Sequence, residues 1–145
     1  VAIEAFRLTG RAIFGVCVGM QVLFESSDED AEPGLGLFAG RVERLAGDVK
    51  VPHMGWNTAT WVEPHPYLDG LADGTRFYFV HSYGAQEWLL DAMPPFPTPK
   101  LTWADHGGRF LAAVENGPLS ATQFHPEKSS DAGIRLLANW VGSLD

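Results

Sequence analysis

Residues 12–25, AIFGVCVGMQVLFE, constrain the fold more than any other stretch, because they carry the only cysteine of the chain between an apolar run and a segment with helical spacing. Residues 12–16 are apolar and rich in β-branched and aromatic side chains, which reads as a central strand covered on both faces. Gly15 and Gly19 stand two residues either side of Cys17. A nucleophile on a tight strand-to-helix turn has a strained backbone, and side chains at those two flanking positions are expected to collide with neighbouring backbone. Met20, Leu23 and Phe24 recur at helical spacing, so Cys17 is expected at a helix N-terminus. Free amide groups and the positive dipole end there lower a thiol's pKa, and the Val18 amide is placed to hold an oxyanion. A lone cysteine can equally be a small buried hydrophobe, so the rest of the chain has to decide.

The chain has 145 residues, enough for a single domain, and 46% are apolar, which supplies a sizeable core. A formal net charge of −8, with no Lys/Arg cluster to offset it, argues against a nucleic-acid partner. One cysteine cannot form an intrachain disulfide, and a free thiol suits a reducing cytosol. No apolar run has membrane-spanning length, and no signal peptide is visible, so a membrane partner is not expected either. The chain starts at Val1 without Met, and its first periodic segment runs straight into the cysteine strand. An N-terminal piece is therefore expected upstream.

Residues 1–8 suit the tail of an amphipathic helix closed by Gly10. Helix, strand and helix in succession imply parallel winding. Residues 26–36 form an acidic polar loop, ordinarily a solvated surface, whose position just beyond the cysteine helix makes Glu29 a candidate binding carboxylate. A strand over 37–45 follows, then an edge strand over 50–62 holding Trp56 and Trp61, either of which can anchor an interface or cap the core. A turn with a short helix is expected over 65–71 and a strand over 76–80, ending in His81, Ser82 and Tyr83. Open α/β sheets bind ligands at such strand ends, although a structural histidine is the ordinary reading of His81. Four prolines make 87–102 an extended loop. Strands over 110–114 and 119–124 are joined by a hairpin, and a closing helix capped by Ser129, Ser130 or Asp131 presents an apolar stripe of Ile134, Leu137, Ala138, Val141 and Leu144. The expected fold is α/β, with a mixed, mainly parallel sheet flanked by helices.

A cysteine nucleophile needs a base, and the base needs an orienting acid. His125 and Glu127 supply both within three residues, with Pro126 restricting the backbone between them. No pair among Cys17 and the five histidines has zinc-ligand spacing.

The segments GVCVGMQ, KVPHMGWN, YFVHSYG and TQFHPEKSS, in that order, resemble the class I glutamine amidotransferases. Within that class they are similar to the glutaminase subunits of imidazole glycerol phosphate synthase, which act in histidine biosynthesis. The resemblance runs from about Gly10 to the C-terminus and implies a single, flavodoxin-like amidotransferase domain, partial at its N-terminal end. It implies Cys17 as nucleophile, His125 as general base and acid, Glu127 as third triad member and the Val18 amide as an oxyanion donor. Gln21, Glu29, His81, Ser82 and Tyr83 match contacts to substrate glutamine. Trp56, Tyr78 and Lys128 match positions that meet a (β/α)8-barrel cyclase subunit, giving a cytoplasmic heterodimer that needs no metal or organic cofactor. Two departures stand out. Ala12 replaces the family's proline, and the family's first strands and Pro-Gly-rich oxyanion loop have no counterpart before Cys17. Losing one oxyanion donor costs about 2.7–4 kcal/mol of transition-state stabilisation, so the 145-residue chain by itself is expected to have weak or no activity. A non-catalytic scaffold that binds the barrel subunit is the main alternative, and another class I enzyme is a third.

Overall fold

The computed structural model describes residues 11–29, 32–45, 50–61, 68–72, 74–86, 99–116 and 119–144. The helix expected over 1–8, most of the proline loop and the tip of the last hairpin lie outside the described residues.

Strand β1 (Ile13–Val16) leads through Cys17 into a single helical turn, α1 (Val18–Gln21). Then come β2 (Phe24–Ser27), β3 (Phe38–Arg44), β4 (His53–Thr58), β5 (Thr60–Trp61), β6 (Arg76–His81) and β7 (Tyr83–Ala85). Strands β8 (Lys100–Asp105), β9 (Arg109–Asn116) and β10 (Leu119–Thr122) precede a 3₁₀ turn (Pro126–Lys128) and the closing helix α2 (Ser130–Gly142).

These strands form a five-stranded sheet in the order β1-β10-β9-β8-β5, a three-stranded sheet β2-β3-β7 and the pair β4-β6. Only β1 with β10 and β2 with β3 run parallel; the other pairings are antiparallel. The sheet is therefore mixed, as expected, but not mainly parallel among the described residues. The second half is built by short returns such as that between β8 and β9, which join antiparallel neighbours, whereas a parallel pair needs a long crossover. Among the described residues β1 pairs with β10 alone, while Ile13 and Phe14 pack against different clusters on its two faces.

Two apolar clusters sandwich the central strands. Phe110 and Ala112 of β9 point into one, with Phe77, Phe79, Phe124 and Leu136; Leu111 points into the other, with Met20, Leu23, Phe24, Phe38 and Val42. Alternate residues of a strand face opposite ways, so the unbroken apolar run of β9 marks a strand covered on both sides. Phe77 stacks on Phe124 at 4.1 Å between ring centroids, which ties β6 to the end of β10.

Three local expectations are corrected. Phe24 begins β2 instead of extending the cysteine helix, because the amides of Leu37 and Phe38 bond to the Leu23 carbonyl and draw the chain into a sheet. Residues 100–102 are part of β8, where Leu101 and Trp103 pack on the core. In α2 the buried positions are Gly133 and Leu136, with Trp140 packed edge-on to Phe14, while Ile134 and Val141 of the expected stripe are 65% and 59% exposed. The helix turns that way because Gly133 lets it sit directly on the 3₁₀ turn: a Cβ there would lie 1.8 Å from the Pro126 carbonyl oxygen.

Alanine normally stabilises a helix by about 0.5–1 kcal/mol relative to glycine. At Gly133 the sign reverses: Gly133→Ala lowers the unfolding free energy by about 1–3 kcal/mol. Gly142→Ala, with nothing within 4 Å of the new methyl group, is neutral or stabilising; urea unfolding midpoints of the two variants check the contrast.

Candidate active site

The parallel pairing of β1 with β10 sets the site. Val16 is in register with Thr122, and the Cys17 amide donates to the Thr122 carbonyl at 2.8 Å. Cys17 and His125 thus leave the carboxyl ends of two neighbouring parallel strands, where open α/β sheets bind ligands. Strand β6 lies against both: the His125 amide donates to the Tyr78 carbonyl at 2.9 Å, and the Cys17 thiol lies 3.8 Å from the Val80 carbonyl. Two residues along a strand span roughly 6.6 Å, so one short length of β6 locates both groups.

Cys17 has φ 55° and ψ −110°, the left-handed region that a side chain rarely occupies and that a nucleophile elbow requires. Gly15 is needed there, since a Cβ would meet the Gly19 carbonyl oxygen at 2.6 Å. The collision expected at Gly19 is absent, with nothing within 4 Å of a Cβ; its backbone is what crowds Gly15.

The expected lowering of the thiol pKa is also corrected. Burial pushes the Cys17 thiol up, and the charges of Glu127 and Glu29 push the same way; the Val18 amide and the Gln123 side chain oppose them without prevailing. A helix of one turn is too short for its dipole to outweigh desolvation.

His125 Nδ1 lies 2.5 Å from Glu127 Oε1. A carboxylate only accepts, so Nδ1 carries the proton and Nε2 presents a lone pair. That Nε2 is buried and has no hydrogen-bond partner among the described residues. Ser129, fully buried, pins the histidine's backbone by donating from Oγ to the His125 carbonyl at 2.6 Å while accepting from the Tyr78 amide at 2.9 Å. Sequence reasoning placed Ser129 only as a helix cap, yet its side chain makes no cap bond.

Beside the elbow a cavity of about 420 Å³ is lined by Val18, Gln21, Ser27, Glu29, Glu32 and Pro33. Three residues expected to serve the oxyanion or substrate, Val18, Gln21 and Glu29, therefore line one cavity. The Gln21 amide donates to the Tyr83 carbonyl and to Gln123 Oε1, each at 3.0 Å. His81 turns inward: Nδ1 donates to the Tyr83 carbonyl at 2.8 Å and Nε2 faces His53 Nδ1 at 3.0 Å. The Ser82 carbonyl accepts from the Leu45 amide. On the outer face of the β4-β6 pair Trp56 sits in register with Tyr78, ring centroids 6.1 Å apart, beside exposed Met54. Lys128 is exposed on the 3₁₀ turn.

Among the described residues no group of three or more His, Cys, Asp or Glu side chains is disposed to hold a metal ion, and no helix is long and apolar enough to cross a membrane.

A strained cysteine elbow, a His-Glu pair on the adjoining strand and a mixed sheet define a class: the chain matches Glutamine amidotransferase class-I over residues 1–142 and belongs to that family. Within it, the chain is 59% identical over 144 residues to the imidazole glycerol phosphate synthase subunit HisH of Leifsonia xyli subsp. xyli, covering 98% of this chain and 68% of that protein. The HisH subunit of Nocardia farcinica is 58% identical over 137 residues, covering 93% of this chain and 64% of that protein. The chain thus spans about two thirds of the length of these curated relatives. Among solved structures, the glutaminase domain of Trypanosoma brucei CTPS with bound acivicin aligns with a TM-score of 0.61 at 18% identity, covering 96% of this chain and 63% of that one. A glutamine amidotransferase from Thermotoga maritima aligns at 0.56 and 17%, covering 98% and 50%. Both show the shared fold.

The histidine cluster behind the site titrates in a way that links it to stability. Burial, foremost, pushes His53 and His81 each down to about 4; for His53 the charges of His81 and His106 add to it, and for His81 those of His106 and His125. In the unfolded chain each takes up a proton near pH 6.5, whereas the folded chain resists until about pH 4. Stability is therefore full above about 6.5 and falls with pH between 6.5 and 4, by at most about 3 kcal/mol per histidine. Urea midpoints over that range should drop steadily, and His53→Phe should flatten the slope.

Proposed function

We propose that this chain is the glutaminase subunit of an imidazole glycerol phosphate synthase, or the greater part of it. The observation that carries the reading is the pairing of a strained Cys17 with a Glu127-oriented His125 on adjoining strand ends, in a chain 59% identical to a HisH subunit.

In this reading Cys17 is the nucleophile, His125 the general base and acid, and Glu127 the residue that fixes the imidazole tautomer. The thiol is largely protonated at rest because burial raises its pKa, so attack requires transfer of its proton to His125 Nε2. The sulfur then bonds to the γ-carboxamide carbon of glutamine, and the carbonyl oxygen becomes an oxyanion facing the Val18 amide. Collapse breaks the C–N bond, and His125 returns the proton to departing ammonia. Water, deprotonated by the same nitrogen, hydrolyses the γ-glutamyl thioester to glutamate and free thiol. Gln21 and Glu29 on the cavity wall suit a glutamine side chain and its ammonium group. Ser82 and Tyr83 contribute backbone along which the substrate lies, whereas His81 serves that segment from behind.

The partner is a (β/α)8-barrel cyclase subunit, which receives the ammonia. Its docking surface is the outer face of the β4-β6 pair, where Met54 and Trp56 are 63% and 47% exposed next to Tyr78, with Lys128 nearby. The same β6 carries the Val80 carbonyl beside the thiol, so a partner seated there covers the nucleophile. A reducing cytoplasm fits the free thiol.

In the complex of the full-length protein with its barrel partner, Cys17→Ser abolishes glutamate release. His125→Ala lowers kcat by roughly 10³-fold or more, and Glu127→Gln by less, with glutamine KM little changed. Retained glutamine hydrolysis in Cys17→Ser overturns the reading, and absence of a Cys17 adduct with a glutamine-analogue affinity label favours a scaffold.

A further inference from the structure

Behind the nucleophile runs a line of hydrogen bonds, exposed at its Asn57 end and buried at the His53-His81 and Gln21-Gln123 steps, whose direction is dictated by the carbonyls that accept from it. At the far end Asn57 Nδ2 donates to the Asp105 carbonyl at 2.8 Å, and that oxygen can only accept. The same nitrogen lies 3.3 Å from His53 Nε2, which makes that ring atom the acceptor and leaves the proton on His53 Nδ1. His53 Nδ1 then donates to His81 Nε2 at 3.0 Å, and His81 Nδ1 donates to the Tyr83 carbonyl at 2.8 Å. That carbonyl receives a second donor from the other side, Gln21 Nε2 at 3.0 Å. An acceptor-only oxygen thus fixes which way the Gln21 amide points. Gln21 Nε2 also donates to Gln123 Oε1 at 3.0 Å, so the oxygen of Gln123 is held away from the sulfur and its nitrogen is aimed at it, 3.7 Å from Cys17 Sγ.

We infer that Gln123 is a positioning residue for the nucleophile: its amide N–H holds the Cys17 sulfur and favours its thiolate, with its orientation imposed through Gln21 by the Tyr83 carbonyl, which can only accept. No motif logic pointed to Gln123, a 1% exposed polar side chain on the strand end before His125. A buried amide with free choice of orientation could offer the sulfur either its oxygen or its nitrogen, and only the latter stabilises negative charge. The line needs both histidines neutral. A protonated His81 presents Nε2–H to the Nδ1–H of His53, two donors face to face. Burial keeps both in the neutral form through the working range, with His106 stacked on His53 at 4.2 Å and His125 beyond His81 adding to the effect. Around the sulfur itself the opposing groups are Glu127 and Glu29, whose charges disfavour the thiolate that Gln123 and the Val18 amide support.

The inference rests on Cys17 as the nucleophile, but its test reads thiol ionisation and not turnover, so the two fail separately. The rate of Cys17 alkylation by iodoacetamide is followed by mass spectrometry against pH, on folded protein verified by circular dichroism. A hydrogen bond to a charged group is worth enough to move a titration by about one pH unit or more. Gln123→Met therefore shifts the alkylation midpoint up by about one unit, a roughly tenfold slower reaction below it. Gln123→Glu keeps the acceptor for Gln21 but brings an acidic group to the sulfur, and shifts it further. His53→Phe, which loses the Nδ1 donor to His81 but leaves the Tyr83 carbonyl an acceptor for Gln21, leaves the midpoint where it is in the wild type. An unchanged midpoint in Gln123→Met overturns the proposal; should that variant not fold, an unchanged midpoint in Gln123→Glu does so. A His53→Phe shift as large as that of Gln123→Met overturns the Tyr83 carbonyl as the group that sets the orientation of Gln21 and Gln123.

Discussion

The parallel register of β1 on β10, Val16 opposite Thr122, is the constraint on which the rest of the molecule depends. It brings a cysteine from residue 17 and an imidazole from residue 125 to the same end of one sheet, and everything around it secures that register. Gly15 allows the elbow to double back on Gly19 without collision. The Phe77-Phe124 stack locks β6 against the end of β10, and Ser129 ties the backbones of Tyr78 and His125 together. Three different kinds of force, steric fit, apolar stacking and hydrogen bonding, converge on fewer than a dozen residues.

That convergence has an energetic cost concentrated at the sulfur. Cys17 occupies a backbone conformation that few side chains tolerate, and its thiol is harder to ionise than a free one because the surroundings are apolar and two carboxylates are near. Strain and desolvation of this kind persist only where the surrounding structure over-determines them. The opposing contributions are polar and directional: the Val18 amide and the Gln123 side chain.

How much of this was legible beforehand varied with the range of the interactions. The elbow was readable because its requirement is local: glycine at 15, cysteine at 17 and an apolar strand before them are neighbours in sequence. The His125-Glu127 pair was readable for the same reason. The helix expected after Cys17 was not what formed, since the Leu23 carbonyl is claimed by amides from 37 and 38, a pairing that no periodicity in 18–25 encodes. The apolar stripe of α2 misled because hydrophobic spacing names a face but not its partner, and the close approach at Gly133 selected a different face.

By itself the sequence determined the chemistry on offer: a cysteine on a strand-to-helix turn, a histidine with a glutamate two residues on, a formal net charge of −8, and a set of motifs that belong to one family of amidotransferases. Only the tertiary structure decided that the thiol is raised and not lowered, that His81 faces inward to His53, and that Gln123 rather than a helix dipole is what aims a donor at the sulfur. The reason is that desolvation and hydrogen-bond direction are set by groups brought together from distant parts of the chain, and a residue's own neighbours in sequence say nothing about which of those will face it.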